Sequence, residues 1–84
     1  MNSKEMRERA FRTAQQYLNT ARYWRSEYIG ACSVEQATAS NRAMVEYIIR
    51  YKTVVNLMWR LEMISRQRYE ELENDMYDEL YEIK

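Results

Sequence analysis

The chain has no proline and a single glycine, Gly30, in 84 residues. Proline breaks a helix by removing an amide donor and colliding with the preceding turn. Glycine, lacking a Cβ, best tolerates the left-handed turn that closes many helices. A chain without either outside one position has little to interrupt a long helix. Gly30 is therefore expected to sit in a left-handed turn and to be the main hinge between two long helices.

The apolar spacing agrees. Met6, Ala10, Ala14, Tyr17, Ala21, Trp24 and Tyr28 recur at steps of three and four, the seam of a helix packed lengthwise on a neighbour. Alanines at 10, 14 and 21 invite close approach of that neighbour. Asn2 followed by Glu5, and Ser33 followed by Gln36, have the spacing of capping boxes. Beyond Ser33 the rhythm continues through Val34, Ala37, Asn41, Met44, Ile48, Tyr51, Val55 and Met58, with Tyr47, Val54 and Leu61 as a second stripe and Ile49 and Trp59 as additions. This second helix is apolar over more than half its circumference, so it is expected to be central or to face another chain. The β-branched cluster from Ile48 to Val55 keeps helical spacing and no turn residue bounds it, which excludes a strand. Ser65 reads as the N-cap of a third helix with Tyr69, Leu72, Met76, Leu80 and Ile83 on its buried face.

Together these signals predict a single all-α domain over residues 1–84, an antiparallel three-helix bundle with helices at about 3–29, 34–63 and 66–83. If Ser65 does not break the chain, the product is a helical hairpin with a long second arm.

The residues that carry chemistry are few. There is no histidine, the commonest acid–base group at neutral pH and the commonest imidazole metal ligand. The lone Cys32 has no histidine with which to form a nucleophilic pair and reads as a small turn residue. Phosphate-cradling loops need several glycines. Glu46 and Glu62 read as solvated or salt-bridged acids at a core boundary, and the arginines fall mostly on polar faces. The expectation is that the protein is not an enzyme and uses no cofactor, metal or small-molecule substrate. One cysteine makes no internal disulfide, the charged N-terminal residues Lys4 to Arg9 do not form a signal peptide, and no apolar run reaches the roughly 20 residues that span a bilayer. A cytoplasmic protein is expected.

Net charge is zero, but it is unevenly spread. Residues 1–65 hold ten basic and six acidic side chains, +4, while residues 66–84 hold three and seven, −4. Three readings follow. Helices 1 and 3 complement each other in charge across a solvated seam. Alternatively, the acidic face Glu71, Asp75, Asp78, Glu79 and Glu82 docks on a basic enzyme as a nucleic-acid mimic, in the manner of small phage or mobile-element inhibitors. In the third, Arg22, Arg25, Arg42 and Arg50, with Tyr23 nearby, bind nucleic acid directly, which the interspersed acids and zero net charge disfavour.

Eight tyrosines, six methionines and two tryptophans carry much of the apolar content. Such side chains dominate interfaces. The sequence is therefore read as a small interaction module, expected to be homodimeric, with Tyr47, Trp59, Tyr77 and Tyr81 at the interface.

Overall fold

The computed structural model describes residues 2–81, and they form three helices and no strand: α1 Ser3–Ile29, α2 Val34–Arg60 and α3 Arg66–Tyr81. The chain follows the three-helix alternative, because it does turn at Ser65. Ile83 and Glu82, expected on helix 3, lie outside the described residues.

Each helix starts where a side chain can accept from a free amide. Asn2 Oδ1 accepts from Glu5 N at 2.8 Å, Ser33 Oγ from Gln36 N at 3.1 Å, and Ser65 Oγ from Arg68 N at 3.1 Å. Gln36 reaches back to the amide of Cys32 at 3.1 Å, one residue before the cap.

The helix ends depart from expectation in an informative way. Gly30 closes α1 at φ −89° and ψ 7°, so the glycine does not use its left-handed freedom. The left-handed residue is Glu62, at φ 59°. Its amide donates to Trp59 O at 3.0 Å, and that of Met63 to Met58 O at 2.8 Å. This pair of bonds is a Schellman motif, which satisfies carbonyls that the helix leaves open. It ends α2 at Arg60, three residues before the expected position 63.

From this geometry, Gly30→Ala is expected to be tolerated. A Cβ there meets only Ser26 O, at an ordinary 3.5 Å, and the substitution is expected to stabilise by about 0.4–1 kcal/mol by restricting the unfolded chain. Glu62→Gly is expected to stabilise by about 1 kcal/mol by relieving left-handed strain. Urea midpoints check both.

α1 and α2 form an antiparallel hairpin, and α1 packs mainly on α2. α3 runs antiparallel to α2, bringing Tyr69 to Asn56 and Tyr77 to Lys52. The core joins Ala14, Leu18 and Ala21 of α1, Met44, Ile48, Tyr51 and Val55 of α2, and Met76 and Leu80 of α3. Ala21 is wholly buried, as the expected close approach requires.

The molecule is long and flat, 47 × 25 × 14 Å, with a radius of gyration of 14.4 Å. A compact chain of this length has about 12 Å. Length explains the difference. A 27-residue helix runs about 40 Å and the 16-residue α3 about 24 Å, so α3 cannot cover the whole hairpin. Tyr28 and Val34, on the expected apolar stripes, are accordingly exposed at the hairpin end, and Met6 is exposed at the other.

Candidate interaction surfaces

The aromatic residues expected at an interface divide into two groups. Tyr47 and Trp59 are half-buried within their own chain. Tyr47 lies 6.1 Å from Tyr17, with Arg50 over both rings, while Trp59 stacks on Tyr69 at 5.0 Å and 10°. Tyr77 and Tyr81 are exposed on α3, with ring centroids 5.5 Å apart.

The acidic face divides as well. Glu79 forms a two-pronged pair with Arg22 of α1, one arm measuring 2.7 Å. Arg25 Nε donates to Leu80 O at 3.1 Å, supplying a donor at the C-terminal end of α3. Glu71 meets Arg68 and Gln67 on its own helix. Asp75 and Asp78 face solvent, and Glu82 lies outside the described residues. Charge complementarity between helices 1 and 3 is thus present as a bond between named side chains. Arg22 and Arg25 contact α3, Arg50 pairs with Glu46 at 2.7 Å beside the Tyr17–Tyr47 pair, and Arg42 is exposed.

The Arg22 bond holds the Glu79 carboxyl below its ordinary range, against the opposing effect of burial. A carboxylate with a lowered folded pKa stabilises above the unfolded value, and that contribution is lost as pH falls through the folded value. Because both side chains are 41% exposed, the gain is at most about 1 kcal/mol. Glu79→Gln is expected to lower the urea midpoint at neutral pH and leave it nearly unchanged in acid.

Between α2 and α3 lies an open groove of about 350 Å³ lined by Ile49, Lys52, Thr53, Asn56, Tyr69 and Glu73. Its polar groups are bonded to one another. Asn56 donates to the Tyr69 hydroxyl at 3.2 Å, and that hydroxyl donates to Glu73 at 2.9 Å. Lys52 donates to the Tyr77 hydroxyl, the main cause of its raised pKa, and remains a cation. Burial likewise pushes the Tyr51 hydroxyl up, which keeps it neutral. Glu46 and Glu62 are exposed, and Cys32 is an exposed thiol in the turn. Among the described residues no three acidic or thiol groups converge to hold a metal ion, and no helix is long and apolar enough to cross a membrane.

No protein-family model, curated protein or solved structure matches the chain. Its surface is the basis for a functional reading.

Several apolar residues of α2 and its C-terminal end are left uncovered by the fold. Ile49 and Leu57 of α2 and Leu61 just beyond it are each more than half exposed, as are Ile29 and Val34 at the hairpin end. Ile49 and Leu57 lie eight residues apart with Thr53 midway, so one helical face carries all three. That spacing is readable in the sequence, whereas the exposure of the face follows from the fold.

Proposed function

We propose that this chain is a non-enzymatic, cytoplasmic interaction module that assembles with a second copy of itself. The observation that carries this reading is the apolar surface left over by the fold. Among the described residues ten large hydrophobic side chains are exposed, a large number for so short a chain. Scattered singly they would mean little, but Ile49 and Leu57 share one α2 face and Tyr77 and Tyr81 adjoin on α3. A single exposed thiol, with no disulfide to stabilise a small secreted fold, suits a reducing compartment.

The acidic-mimic alternative draws less support from the geometry. Glu79 is engaged by Arg22 and Glu71 by Arg68, leaving Asp75 and Asp78 as the solvent-facing acids of that face among the described residues. Direct nucleic-acid binding is weakened in the same way, since Arg22 and Arg50 are both ion-paired.

Self-association that favours the folded state makes the thermal midpoint depend on protein concentration. Raising the concentration from about 5 to about 500 µM is expected to raise the midpoint by several degrees. A midpoint that stays constant across that range argues against the homodimer.

A further inference from the structure

We infer that the second copy docks on the outer face of α2, antiparallel to it, across a two-fold axis through Thr53; this rests on the self-assembly proposed above. The face consists of Glu46, Ile49, Thr53, Leu57 and Arg60, at successive steps of three, four, four and three. Those steps read the same from either end. In an antiparallel two-fold pairing about Thr53, a residue a given number of positions before the centre meets the partner's residue the same number of positions after it, and the reverse contact repeats it.

The chemistry is self-complementary about the same centre. Ile49 and Leu57 lie four residues either side of Thr53, so Ile49 meets the partner's Leu57 and Leu57 the partner's Ile49. Both are more than half exposed within one chain, at 58% and 53%. Glu46 and Arg60 lie seven residues either side and carry opposite charges, so each carboxylate, paired with Arg50 of its own helix at 2.7 Å, also faces the partner's Arg60. The two ion pairs favour antiparallel pairing and oppose the parallel one, which sets like charges together.

The centre is built for close approach. The Thr53 hydroxyl donates to Ile49 O at 2.8 Å, within its own helix. It therefore asks nothing of the partner, and the small side chain lets the helices meet. The groove lined by Ile49, Lys52, Thr53, Asn56, Tyr69 and Glu73 borders this face, and the partner's Leu57 meets it at its Ile49 edge. The face spans about 21 Å of helix. An interface of that size belongs with transient complexes, and dissociation constants of about 1–100 µM are expected.

A charge-reversal cycle followed by sedimentation tests the pairing. Glu46→Arg and Arg60→Glu are each expected to weaken the dimer about tenfold or more, and the double variant is expected to recover most of the loss. All three positions involved in a probe of the centre, Glu46, Arg60 and Thr53, are exposed, and thermal unfolding at low concentration verifies that each variant still folds. Thr53→Cys in a Cys32→Ser background is expected to give a disulfide-linked dimer under mild oxidation, while Asp78→Cys in that background remains uncrosslinked. A dimer indifferent to both reversals, or one that crosslinks through residue 78 and not residue 53, overturns the α2 pairing and leaves self-assembly standing. A clean monomer up to about 100 µM overturns both.

Discussion

Met76→Ala is expected to cost about 2–5 kcal/mol, the largest loss available from a single side chain of α3. Met76 is 1% exposed and joins the core formed with Ile48, Tyr51 and Val55. α3 is short, and beyond Met76 and Leu80 its apolar contacts are half-buried ones from Tyr69 and Leu72. Truncating Met76 leaves a cavity between α3 and the hairpin, which the remaining contacts close only in part. A domain of this length has a total stability of roughly 4–13 kcal/mol, so the loss is a large fraction of the whole. Urea unfolding followed by circular dichroism measures it. Hydrogen exchange is expected to show the α3 amides losing protection before those of the hairpin. A loss below about 1 kcal/mol means that α3 does not depend on this residue for its place.

Ala21→Leu is the second large expected effect, a destabilisation of about 1–3 kcal/mol by the opposite mechanism. Ala21 is completely buried where α1 lies on α2, and its neighbours Ala14 and Leu18 belong to the same core. Three added carbons have no cavity to occupy, so they force α1 away from α2 along the longest contact in the fold. Ala39→Leu is the matched control. Ala39 is exposed on α2, and the same enlargement there is expected to change stability by no more than about 0.5 kcal/mol. Equal losses at the two positions contradict the close approach of the helices.

The close approach of α1 to its neighbours was legible in the sequence. Ala14 and Ala21 stood on a seam of three- and four-residue steps, and the structure buries both. The caps at Asn2, Ser33 and Ser65 were legible for an equally local reason, since a side chain three residues before a free amide is enough to define them. Ser65 in particular decides between a bundle and a long arm, and it turns the chain.

The C-terminal ends of α1 and α2 were less legible. Composition pointed to Gly30 as the left-handed residue, yet the backbone places that conformation at Glu62. Nothing in a glutamate announces it, because the Schellman bonds of Glu62 and Met63 enforce the conformation from outside the residue. Tyr28 and Val34 lie on good apolar stripes but are exposed, because α3 is too short to reach the hairpin end. Helix length, a global quantity, overrode local spacing.

Of the surface, the opposite charges of helices 1 and 3 were visible as totals. Which carboxylate meets which arginine depends on helix rotation, and only the folded chain joins Arg22 to Glu79. The aromatic residues expected at an interface include two that pack within their own chain, Tyr47 tilted against Tyr17 and Trp59 stacked on Tyr69. Ile49 and Leu57 are smaller and set off the main stripe. Their importance in the proposed pairing comes from exposure and from symmetry about Thr53.

Self-assembly through leftover apolar surface is tested most directly by sedimentation equilibrium of the unmodified chain at rising concentration. The expected result is a weight-average mass that climbs from 10.3 kDa toward twice that value as concentration passes through the micromolar range. A mass that holds at 10.3 kDa up to about 100 µM contradicts it.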